Sequence, residues 1–91
     1  MNRKRRNELR EAVEKLGRAK DLVDESKDVI ERCKDEEEEA YDNLPESLQY
    51  GAAGDSMQDH IDVMDEALSE LDTAGETISE QIDAINGMFE K

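Results

Sequence analysis

The chain has 91 residues, of which 42% are charged, 35% apolar and 3% aromatic, with one Pro, one Cys and no Trp. This gives room for one small domain but no thick globular core, and the single Cys33 excludes an internal disulfide. No secretory hydrophobic region and no apolar run of membrane-spanning length is present, so the expected setting is cytoplasmic, with no membrane partner.

The net charge of −14 is unevenly placed. Residues 1–34 carry eleven basic and eight acidic side chains, whereas residues 35–91 carry one basic and eighteen acidic. Such a surface repels nucleic acid and attracts basic protein surfaces, so the expected partner is a protein and not DNA or RNA directly. High charge and low hydrophobicity also fit disorder, but apolar residues recurring at period 3.5 argue for helices.

The first predicted helix covers about residues 5–43. Taking Leu9 as heptad position a places Leu9, Leu16, Val23, Ile30 and Leu44 at a, and the small residues Ala12, Ala19, Ser26, Cys33 and Ala40 at d. Small d residues predict close approach of a partner helix, with Cys33 packed in the core as a small apolar group. Glu37 falls at an a position and marks a break in the seam.

The connector, residues 44–55, holds Pro45, which biases Leu44 away from helical angles and suits the first position of a short turn Pro45-Glu46-Ser47-Leu48. Gly51 and Gly54 then release the chain. Asp55 with Gln58 three residues on has the spacing of a capping box that opens the next helix.

The second predicted helix covers about residues 56–89, with Met57, Ile61, Met64, Leu68, Leu71, Gly75, Ile78, Ile82, Ile85 and Phe89 on its apolar stripe. Its large d residues are expected to complement the small d row of the first helix. Gly75 at an a position calls either for a bulky neighbour or for a bend. The fold class is therefore all-α: residues 1–91 form one long antiparallel two-helix hairpin of coiled-coil type. Flanking apolar residues (Val13, Leu22, Val29 and Tyr41; Ala67, Ala74 and Met88) widen both stripes and predict a homodimer that closes as a four-helix bundle.

Folding the chain back on itself gathers an acidic tip: Glu36, Glu38, Glu39 and Asp42 from the first helix, and Asp55, Asp59, Asp62, Asp65 and Glu66 from the second. Rows of carboxylates on a rigid rod imitate the phosphates of a nucleic acid and fit a basic groove built for one. The plainer reading is a solvated, solubilising face. Tyr41 and Tyr50 flank the connector, either covering its apolar end or anchoring a partner there.

Other chemistry is poorly supported. Glu36 with Glu39, and Asp62 with Asp65, resemble the magnesium-binding carboxylates of the all-α nucleotide pyrophosphatases, but position 62 departs from that pattern and no adjacent Lys or Arg serves a phosphate. Residues 55–59 lack the alternating ligands of a calcium loop, and His60 has no second imidazole and reads as a flanking surface residue. The Arg3 to Arg6 cluster is short and is diluted by Glu8, Glu11 and Glu14. The expectation is a non-enzymatic protein with no cofactor and no metal.

The run from Asp35 to Gln49, DEEEEAYDNLPESLQ, followed by an acid-rich heptad helix, resembles a set of short proteins encoded by phages and prophages of Gram-positive bacteria. The resemblance spans roughly residues 30–75 and rests on the AYDNLPESLQ turn; it transfers no site residues. It implies a phage context and the host cytoplasm, where small acidic proteins act by blocking host proteins. The expected function is occlusion of a basic surface on a nucleic-acid-handling protein; the alternative is a structural oligomerisation scaffold.

Overall fold

A computed structural model describes residues 1–89; Glu90 and Lys91, which belong to the predicted 1–91 hairpin, lie outside the described residues. The protein is all-α: α1 spans Arg3–Asp42, α2 Glu46–Gln49 and α3 Ala52–Phe89. The two long helices, of 40 and 38 residues, pack against each other as a hairpin. Contacts divide the chain into two compact units, one built from Met1–Glu25 with the chain from Asp72 onward, the other from Ser26–Leu71.

Local hydrogen bonding accounts for each boundary. At the start of α1, the Asn2 side chain accepts the Arg5 amide at 2.9 Å and the Asn2 carbonyl accepts the Arg6 amide at 3.2 Å. Asn2 is thus the N-cap, and α1 begins before the predicted residue 5. At its other end, the Tyr41 carbonyl accepts the Leu44 amide at 3.1 Å, and the Gln49 side chain donates to the carbonyls of Tyr41 at 3.1 Å and Leu44 at 3.3 Å. Pro45 does not take the first position of α2. It precedes it in extended geometry (φ −54, ψ 142), and its carbonyl accepts the amides of Leu48 and Gln49.

The expected capping box at Asp55 is not the start of α3. The helix is already under way at Ala52, the Asp55 amide donates to the Gly51 carbonyl at 3.0 Å, and Gln58 donates to Asp62 instead of reaching back. The reason lies in Gly54. It is buried inside the first turn of α3 against the backbone of Gln49, and a Cβ there would overlap the Gln49 carbonyl. The glycine permits close approach instead of ending an element.

The predicted row of α3 is the observed one: Ile61 and Gly75 are buried, and Met57, Met64, Leu68, Leu71, Ile78, Ile82, Ile85 and Phe89 are half-buried. On α1 the a row also holds, Glu37 included, but the d row holds only at Ala12 and Ala19. Ser26, Cys33 and Ala40 are exposed, and the e row takes their place: Val13, Lys20, Lys27, Lys34 and Tyr41 are half-buried. Cys33 is correspondingly a surface thiol, not a core residue.

Size explains the exchange. The e row offers longer side chains whose stems cover more apolar surface than Ala, Ser or Cys, while their ammonium groups stay wet. Gly75 shows the fit, because a Cβ built there would meet the Lys20 stem at 3.5 Å, and the Lys20 ammonium continues to Asp24 at 2.9 Å. The bulky neighbour expected for Gly75 is thus a lysine. Near the chain ends, the Arg10 guanidinium lies 4.9 Å from the centre of the Phe89 ring, within cation–π range.

Candidate functional site

The unit Ser26–Leu71 contains the turn and all nine of the predicted acidic site residues. Its sequence holds fifteen carboxylates against Lys27, Arg32 and Lys34. Of the nine predicted acidic site residues, Glu36, Glu39, Asp42, Asp55, Asp59, Asp62, Asp65 and Glu66 are exposed and Glu38 is half-buried.

Two cross-helix contacts set the level at which the acidic segments meet. The Lys34 ammonium lies 3.0 Å from Asp65 on α3 and 3.6 Å from Glu38 on its own helix. The hydrogen bond to Asp65, reinforced by the charges of Asp65 and Glu38 and opposed by some desolvation, holds the Lys34 pKa above its ordinary value. One turn further on, Glu37 lies 3.9 Å from His60, so the histidine read as a lone surface residue faces a carboxylate across the hairpin. A shallow groove of about 290 Å³ opens beside this level, lined by Glu38, Tyr41, Asp42, Gln58 and Ile61.

The predicted tip is not one patch. Residues two apart on an α-helix point to nearly opposite sides, so Glu36 projects away from the groove that Glu38 and Asp42 line. Glu36 has its own neighbour, Arg32, at 3.9 Å. The two tyrosines also separate: Tyr41 is half-buried in the groove, whereas Tyr50 is 78% exposed.

Placement of these charges runs against local stability. The last turn of α1 carries no basic residue and ends at Asp42, beside the negative end of the helix dipole. Carboxylates there cost about 0.3–1 kcal/mol each relative to cations at the same place. Asp55 in the first turn of α3 is favourably placed.

The four carboxylates that resemble a pyrophosphatase cluster do not converge. Among the described residues no group of three or more His, Cys, Asp and Glu side chains is arranged to hold a metal ion, and Asp65 is turned to Lys34. Sequence reasoning missed Lys34 and Gln49, which shape this end of the hairpin. Lys34 was detectable as the last cation ahead of an acidic run; nothing in the local pattern marked the Gln49 amide.

No described helix is long and apolar enough to cross a membrane. The chain matches no protein-family model, no curated protein and no solved structure.

Proposed function

We propose that the protein is a non-enzymatic binding module whose acidic turn region occupies a basic protein surface of the kind that handles nucleic acid. The observation that carries this reading is the position of the charge. Fifteen carboxylates and three cations share the Ser26–Leu71 unit, and Asp42 ends α1 where the helix dipole disfavours it. Solubility alone is served equally well by carboxylates at sites that cost nothing. A carboxylate surface fixed to a short, hydrogen-bonded turn has little freedom to lose on binding, which favours recognition of an equally rigid basic groove.

The resemblance of the AYDNLPESLQ turn to phage and prophage proteins makes a bacterial nucleic-acid-binding protein the natural target. The test is capture from a bacterial lysate on the immobilised chain, with elution by rising salt and, separately, by duplex DNA. Basic nucleic-acid-binding proteins should be retained at low salt, released by either eluent, and lost when Asp42, Asp59 and Asp62 are all changed to Lys. Equal capture by that triple variant would refute the reading.

A further inference from the structure

The groove beside the turn has an apolar floor as well as a charged rim, and all of it lies within the Ser26–Leu71 unit. Glu38, Tyr41 and Asp42 stand three and four residues apart, so the end of α1 presents them on one face. Gln58 and Ile61, three residues apart, line the groove from α3. Ile61 is buried and Tyr41 half-buried, and Glu38 and Asp42 supply the charge. At about 290 Å³ the groove falls at the low end of the roughly 300–1,000 Å³ of small-molecule pockets, which suits one entering side chain.

The polar groups of the groove have capacity left. Lys34 lies 3.6 Å from Glu38 but 3.0 Å from Asp65, so Glu38 shares that cation with a closer carboxylate. Gln58 donates its amide N–H to Asp62 at 3.3 Å, which leaves its amide oxygen as an acceptor. Asp42 makes no ion pair among the described residues, and it holds its charge at the end of α1 where the helix dipole opposes it. A cation entering here meets two carboxylates, an amide oxygen, an aromatic ring and an aliphatic side chain.

The apolar floor decides which cation fits. An ammonium is a compact, strongly hydrated charge that gives up its water at high cost in a half-buried groove. A guanidinium is planar and weakly hydrated, offers its N–H donors in a fork that matches carboxylates, and stacks on aromatic rings. We propose that this groove is an arginine-selective site, taking the guanidinium of an arginine on the basic partner surface with its face on Tyr41 and its N–H groups toward Asp42 and Glu38. Arginine selectivity rests on the reading of the turn region as a protein-binding surface and names the side chain that this surface accepts. Asp59 and Asp62 line no part of the groove and contribute charge alone.

Isothermal titration calorimetry of the full chain with blocked oligo-arginine and oligo-lysine peptides, equal in length and charge, separates selectivity from net charge. The arginine peptide should bind about tenfold more tightly at physiological salt. Asp42→Asn, which also relieves the helix end, and Tyr41→Leu, which keeps an apolar side chain, should each cut that preference to about threefold or less. Asp59→Asn with Asp62→Asn removes more charge than Asp42→Asn, and should weaken both peptides while keeping the preference near its wild-type value. Circular dichroism checks that each variant is folded. In a Tyr50→Phe chain Tyr41 is the remaining tyrosine and no Trp is present, so tyrosine fluorescence should respond more to the arginine peptide than to the lysine peptide at equal saturation. Equal affinity for the two peptides, or a preference that Asp42→Asn and Tyr41→Leu leave unchanged, overturns arginine selectivity, while capture of basic proteins from a lysate is decided separately by its own triple variant. Self-association of the chain without peptide, abolished by Asp42→Asn, would put a second copy's arginine in the groove and overturn the assignment to a partner protein.

Discussion

Lys34 lies 3.0 Å from Asp65 across the hairpin while its stem remains part of the seam, so one side chain serves both as packing and as a charge. The two roles separate by substitution. Lys34→Met keeps the stem and should lower the thermal midpoint less than Lys34→Ala, which removes both; circular dichroism melts at pH 7 distinguish them.

The same contact has a pH dependence of known sign. The folded-state pKa of Lys34 is raised, so its contribution is complete below the unfolded value and is lost as pH climbs through the folded one, above the ordinary 10.5. The difference in midpoint between wild type and Lys34→Met should be constant from neutral pH to about 9 and should shrink beyond about 10.5. A difference that instead vanished on mild acidification would mean that another group dominates.

Two glycines in α3 should respond to alanine with opposite signs. At Gly75 the new methyl meets the Lys20 stem at 3.5 Å, an ordinary contact, so Gly75→Ala should stabilise by about 0.5–1 kcal/mol through helix propensity. At Gly54 it overlaps the Gln49 backbone, and Gly54→Ala should destabilise by about 2 kcal/mol or more. Urea denaturation measures both.

Gln49 should matter more than an exposed connector residue normally does. Gln49→Ala takes the side-chain donor from the Leu44 carbonyl and leaves Tyr41 only the Leu44 amide, and should cost about 1 kcal/mol, while Ser47→Ala nearby should change little. Gln49→Glu, with no donor to offer when ionised, should be at least as damaging as alanine.

Ile61 and Val63 test where the interior lies. Ile61 is 6% exposed and Val63 is 66% exposed, two residues away on the same helix. Ile61→Ala should cost about 2–4 kcal/mol and Val63→Ala about 0.5 kcal/mol or less in the monomer, by the same urea titration.

The parts of this fold legible in the sequence are those that apolar residues write directly. The α3 row from Met57 to Phe89 consists, Gly75 apart, of large apolar residues at strict spacing, and all of it faces inward. On α1 the same reasoning chose Ala12 to Ala40 as the second core row because those residues are uncharged. It passed over Lys20, Lys27 and Lys34 because a binary apolar/polar pattern assigns a lysine by its ammonium and ignores its four-carbon stem. Gly54 was taken for an exit from structure because close approach of a distant backbone leaves no mark on neighbouring residues. The acidic candidates were legible as a group. Their division into the Glu38 and Asp42 groove and the outward Glu36 depended on which row of α1 met α3.

The Gln49 hydrogen bonds and the Gly54 contact lie beside the shortest chain closures in the molecule, whereas the Arg10 to Phe89 contact must close most of the chain. Loop entropy rises with the length closed, so the turn should form early and the helices should then pair outward from it. In the native ensemble the same order runs backward, with opening beginning at the chain ends. Backbone amides near Ile61 should therefore exchange with solvent deuterium more slowly than those near Leu9 or Ile85. The carboxylates at the turn would then remain arrayed while the far end breathes.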